Sequence, residues 1–148
     1  MKPYFHTVQY YETDRMGLTH HSNYVRWMEE ARIDFLKQIG WNYEKLEAAG
    51  IFSPVTEIGC RFLAGTSFPQ EIGITIRITE YRGPILKLRY VMTDPDGKTV
   101  FEGNSSHCFL NSAGKVIRLS SALPELNEVL LSLACGGAED PERNDHEQ

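Results

Sequence analysis

Cysteine is scarce in this 148-residue chain: Cys60, Cys108 and Cys135 are the only three, and no two stand in C-x-x-C spacing. So sparse and odd a set excludes a disulfide framework and a cysteine-built zinc site, and it fits a reducing compartment. Basic charge is also short, with 15 Lys and Arg against 20 Asp and Glu and a net charge of −5. The last ten residues hold Glu139, Asp140, Glu142, Asp145 and Glu147 against Arg143, so the rest of the chain is close to neutral. No basic surface for nucleic acid is expected. Glu12, Asp14 and Arg15 stand too early for the apolar core of a leader peptide. The longest greasy run, Val129 to Cys135, is too short to span a bilayer. These absences together lead us to expect a cytoplasmic protein without a membrane span. Sequence motifs narrow the chemistry further. No G-x-S-x-G elbow occurs, nor a P-loop, nor a dinucleotide fingerprint, which excludes a serine α/β-hydrolase and argues against nucleotide chemistry.

What is present is periodicity, and its period changes midway. Tyr4 to Tyr10 reads as a first strand. From Asn23 to about Ile39, the residues Tyr24, Met28, Ala31, Phe35 and Ile39 recur at helical spacing, with Val25, Arg32 and Leu36 alongside. Ser22 or Asn23 is expected as N-cap and Gly40 as the residue past the C-terminus. Asn42 to Ala49 predicts a short second helix ended by Gly50. The period then drops to two. Phe52 to Ala64, Gln70 to Arg82, Pro84 to Asp94 and Lys98 to Asn111 read as strands. The turns between the last three are short, so those strands must pair antiparallel. Ala122 to Ala134 is amphipathic, and the charged stretch 136–148 reads as a disordered tail. One α+β domain over 1–135 is expected, a long buried helix covered by a curved antiparallel sheet.

The richest stretch is Tyr11-Glu12-Thr13-Asp14-Arg15-Met16-Gly17-Leu18-Thr19-His20-His21-Ser22-Asn23-Tyr24. It places a carboxylate, a glycine turn and imidazoles directly before a helix start. Free N–H groups there, of His21, Ser22 and Asn23, can bind developing negative charge. Gly17 would permit the turn that brings Asp14 back toward that helix end. Taken alone, Asp14 is also a plausible loop acid closing an Asx turn, and a lone histidine is often structural. His20 and His21 lack a third ligand at any recognisable spacing, so no metal or other cofactor is expected.

The pattern Y-x-x-T-D-x-M-G-x-x-x-H-x-N-Y, continuing through Val25-Arg26-Trp27-Met28-Glu29-Glu30-Ala31-Arg32, resembles the hotdog-fold acyl-CoA thioesterases of the 4-hydroxybenzoyl-CoA thioesterase type. The resemblance runs from about Tyr4 to Pro124 and implies hydrolysis of an acyl-CoA or other acyl thioester to free acid and thiol. It implies that Asp14 is the catalytic carboxylate, as nucleophile or as general base. His21 then corresponds to the residue whose backbone N–H binds the thioester oxygen, its imidazole orienting water, sharing a proton or only packing. Gly17, Ser22, Asn23 and Glu29 would border the substrate, Glu29 facing the acyl group, although by spacing alone Glu29 and Glu30 more simply pair with Arg26 and Arg32 along the helix face. Among Lys87, Arg89, Lys115 and Arg118, the last is favoured for the CoA phosphates. Arg15 and the Thr19-His20 pair depart from the family pattern and bear on acyl preference. The family implies a homodimer or homotetramer, and strands such as Lys98 to Asn111 are expected to offer the bare edge that pairing removes. The rival readings are another hotdog enzyme, such as an acyl dehydratase, and a non-catalytic acyl-CoA-binding module.

Overall fold

The computed structural model describes residues 1–136. In chain order, β1 (Tyr4–Thr7) leads through a 3₁₀ turn (Tyr10–Glu12) and a loop to α1 (Ser22–Gln38) and α2 (Tyr43–Ala48). Strands β2 (Val55–Phe62), β3 (Glu71–Arg82), β4 (Ile85–Thr93) and β5 (Thr99–His107) follow, then α3 (Leu119–Ala122) and α4 (Pro124–Gly136). The five strands form one antiparallel sheet in the order β1-β3-β4-β5-β2. Gly136, expected at the start of the tail, ends α4; the rest of that expected tail, 137–148, lies outside the described residues.

Helix α1 forms where the spacing placed it. Tyr24, Met28, Ala31 and Phe35 are buried on the sheet, as are Trp27, which is fully enclosed, and Leu36. Gly40 ends the helix with φ +85°. Its N–H bonds the Lys37 carbonyl and the Trp41 N–H bonds that of Leu36, which satisfies two otherwise orphaned carbonyls. Opposite α1, the inward positions of the strands are apolar: Ile72, Ile74 and Ile78 on β3, then Leu86, Leu88, Tyr90 and Met92 on β4.

Two expectations about the sheet are corrected. β5 lies between β4 and β2, so the strand expected to be bare is interior; the edges are β1 and β2. The segment 63–70 between β2 and β3 carries the chain across the sheet, so β2 pairs with the last strand instead of its neighbour in sequence. β2 carries exposed Val55, Ile58 and Phe62. The first strand is also shorter than expected, because Tyr10–Glu12 winds into the 3₁₀ turn.

Candidate active site

The loop before α1 is a tight hairpin. The His20 N–H bonds the Glu12 carbonyl at 2.8 Å, Thr13 pairs with Thr19, and the Asp14 N–H bonds the Leu18 carbonyl at 2.7 Å. Gly17 makes the turn possible, with φ +77° in the region where a Cβ is strained. Asp14 is exposed at the tip. Its Oδ1 accepts from the Met16 N–H at 2.8 Å and the Leu18 N–H at 3.3 Å. No hydrogen bond among the described residues takes Oδ2, so one oxygen is anchored and the other is available.

The same turn recurs twice. Asp94 Oδ1 accepts from Asp96 and Lys98, with Gly97 at φ +83°, and Asn111 Oδ1 accepts from Ala113 and Lys115, with Gly114 at φ +78°. An amide therefore serves as well as a carboxylate in holding this turn. The turn alone does not require Asp14 to be an acid.

At the helix start the expected cap is corrected. His21, in helical conformation with no side-chain cap, occupies the N-cap position. Ser22 Oγ and N–H both turn back to His20 Nδ1, at 2.8 and 3.3 Å. The Asn23 N–H bonds the His20 carbonyl, and its side-chain amide donates to the Glu12 carbonyl. The N–H groups of Ser22 and Asn23 are thus committed. Among the described residues, no hydrogen bond occupies that of His21. The His21 ring is exposed, 4.2 Å from that of His20 and edge-on to Phe62. Asp14 and His21 share one hairpin, without a direct bond between them.

Sequence reasoning passed over the residue that braces this hairpin. Glu12 is buried, with Oε1 accepting from the Gln9 N–H at 2.8 Å and lying 2.7 Å from His6 Nε2. Its Oε2 accepts from Trp27 Nε1 at 2.7 Å. Burial raises its pKa, but the bonds from Gln9, His6 and Trp27 and the nearby His6 charge outweigh that, so it sits below its ordinary value.

A cleft of about 250 Å³ begins one helical turn past His21 and runs along α1 past Val25, Met28 and Glu29, with Ile58 of β2 on its other side. Glu29 is half-buried there, 3.3 Å from Arg32 Nη2 and accepting from the Tyr43 hydroxyl at 3.2 Å. Tyr90, Ser105 and His107 complete the lining. Buried Arg32 joins them, its Nη1 lying 2.8 Å from His107 Nδ1 and 3.2 Å from the Ser53 carbonyl. Burial and then the Arg32 charge push the His107 pKa down to about 4, the Pro54 carbonyl opposing. The signal for these residues was in the strand alternation: Ser105 and His107 occupy inward positions of β5, where a polar side chain needs partners.

Arg118 stands apart. Its guanidinium packs over Gly83 at the β3–β4 turn, whereas the Asp14 hairpin packs on Thr66 before the start of β3. A strand the length of β3 spans about 36 Å, so one subunit does not bring Arg118 and Asp14 together. Lys87 and Arg89 pair with Glu80 and Glu102. Among the described residues no group of His, Cys, Asp and Glu could hold a metal, and no helix is long and apolar enough to cross a membrane.

Known proteins share this architecture. Residues 8–132 match the thioesterase-like superfamily. YneP of Bacillus subtilis, provisionally named an acyl-CoA thioesterase, is 31% identical over 119 residues, 80% of this chain and 86% of that one. The crystal structure of a DHNA-CoA thioesterase from Staphylococcus aureus superposes with a TM-score of 0.86 at 25% identity, covering 94% of this chain and 96% of the other. A gentisyl-coenzyme A thioesterase, BH1999, superposes with a TM-score of 0.75 at 26% identity, over 83% and 99% of the two chains. By its sequence and its fold, the chain belongs to the thioesterase-like superfamily and is a hotdog-fold thioester hydrolase.

Proposed function

We propose that this protein hydrolyses an acyl-CoA, with Asp14 as the catalytic carboxylate and the His21 backbone N–H as oxyanion donor. The observation that carries this reading is the hairpin itself. It fixes one oxygen of Asp14, leaves the other open, and runs directly into a helix start whose His21 N–H is uncommitted. Acting as general base, Asp14 takes a proton from water while the oxygen attacks the thioester carbon. The carbonyl oxygen gains negative charge, which the His21 N–H stabilises; such donors are typically worth ~3–4 kcal/mol. Collapse then breaks the carbon–sulfur bond, and the thiolate takes the proton held by Asp14. Acting as nucleophile, the carboxylate would instead form an anhydride that water opens, with the same products.

Acyl groups enter along the α1 cleft, past Glu29. The enzyme works as a homodimer at least, joined through β2, with sites at the subunit interface; its unpaired cysteines suit a reducing, cytoplasmic setting. Thiol release from a panel of acyl-CoAs tests the reaction. Asp14→Asn should lower it at least ~100-fold while keeping the fold, because Asn111 already holds an identical turn. Wild-type turnover in that variant would remove Asp14 from the chemistry, and loss of water instead of thiol release would mark a dehydratase.

A further inference from the structure

Arg32, His107, Ser105 and Tyr90 form one hydrogen-bonded chain whose direction is fixed at its first link. A guanidinium only donates, so His107 Nδ1, 2.8 Å from Arg32 Nη1, must accept. The ring proton therefore sits on Nε2 and is donated to Ser105 Oγ at 2.6 Å. Ser105 and Tyr90 share the next bond at 2.8 Å. Two hydroxyls joined by one bond leave one O–H over, whichever of them donates. Both residues line the cleft, and no acceptor among the described residues takes that remaining proton. Burial pushes the Tyr90 pKa up to about 12, so its hydroxyl stays protonated.

Glu29, also lining the cleft, supplies the opposite need. Its Oε1 is engaged by Arg32 and Tyr43, and no hydrogen bond among the described residues takes Oε2. The cleft thus presents one spare donor and one spare acceptor. A hydroxyl group satisfies both, since it accepts through oxygen and donates its proton. A ketone answers only the donor, a carboxylate is repelled by Glu29, and an alkyl end leaves both polar groups without a partner.

We propose that Tyr90, Ser105 and Glu29 form a recognition subsite for a hydroxyl carried at the far end of the substrate's acyl group. His107 and Arg32 act as positioning residues that aim the donor. This rests on the thioesterase reading above and names the class of acyl group within it. From His21 to Glu29 the helix rises about 12 Å, so the hydroxyl stands roughly that far from the thioester. At ~30 Å³ per water, the cleft has the volume of about eight waters, enough for a medium-length chain or a ring.

The test is a series of ω-hydroxyacyl-CoAs of increasing length, each compared by kcat/KM with the plain and ω-carboxy acyl-CoA of equal length. The hydroxylated substrate should be preferred over the plain one by ~10-fold or more at an optimal length, and the carboxylated one should be poorest. In Tyr90→Phe/Ser105→Ala the preference should fall toward unity. His107→Gln should retain it, because an amide can accept from Arg32 and donate to Ser105. A flat ratio at every length, or an unchanged ratio in the double variant, overturns the proposal while leaving hydrolysis standing. If no thioester is cleaved, the hydrolytic reading fails separately. Dissociation constants of the same compounds, measured by calorimetry, then decide the subsite: a hydroxyl preference supports it, and equal affinities overturn it.

Discussion

Trp27 Nε1 donates to Glu12 Oε2 at 2.7 Å, and this bond fastens the middle of α1 to the hairpin that carries Asp14. Glu12→Gln should therefore destabilise the protein by about 1–3 kcal/mol, since an amide cannot accept all the donors that converge on the carboxylate. The folded-state pKa of Glu12 is depressed. Its contribution is present above the unfolded value and is lost as pH falls through the folded one. Denaturant unfolding at neutral and acid pH measures both effects. A variant as stable as the wild type at neutral pH would show that the brace is dispensable.

His107 governs a less acidic window. Its folded-state pKa of about 4 lies below the ordinary 6.5, so the unfolded chain takes up the proton first. The associated stability is complete above pH ~6.5 and is lost progressively toward pH ~4, on the order of 3 kcal/mol in all. Arg32 and Glu29 face the network from α1, Tyr43 from α2 and Tyr90 from β4. His107→Gln should flatten the melting temperature between those pH values. An undiminished slope would assign the acid lability elsewhere.

At position 21, backbone and side chain can be separated. His21→Ala keeps the peptide N–H and should lower turnover only ~10-fold. His21→Pro removes that N–H and should be far worse. Equal, severe losses in two variants shown by circular dichroism to be folded would transfer the role to the imidazole.

Strand β2 is an unpaired edge with apolar side chains exposed, a liability that a second copy would relieve. Light scattering should give at least twice the 16.9 kDa chain mass at micromolar concentration. Ile58→Arg should shift the population toward monomer. A wild-type species of 16.9 kDa would refute assembly through this edge.

Much of the fold was legible because burial writes a period into the chain. Tyr24, Met28, Ala31 and Phe35 mark the covered face of α1, and the alternating isoleucines of β3 mark the sheet beneath it. Strand order was harder, since the period of β5 is the same whether it lies at an edge or inside. Only the pairing of β5 with the distant β2 decides that. The hairpin motif pointed to Asp14, Gly17 and His21 together. It did not show that Ser22 and Asn23 would spend their N–H groups on His20, because the first bond depends on the rotamer of its ring and the second on the backbone turn at the helix start. Spacing assigned Arg32 to a helix face, and it does pair there with Glu29, yet further partners come from β5 and the segment after α2. Contacts so distant in sequence leave no local trace.

The sheet order has a consequence for how the chain is made. Val55 pairs with His107 and Tyr4 with Ile74, so both edge strands leave the ribosome before the strands they dock on. β2 must wait for roughly fifty further residues, about 3–10 s at ordinary synthesis rates, while β3, β4 and β5 assemble by short-range hairpins. Helix α1, its apolar face uncovered, waits with it. The nascent amino-terminal half is therefore the part of this protein that most needs shielding by a chaperone.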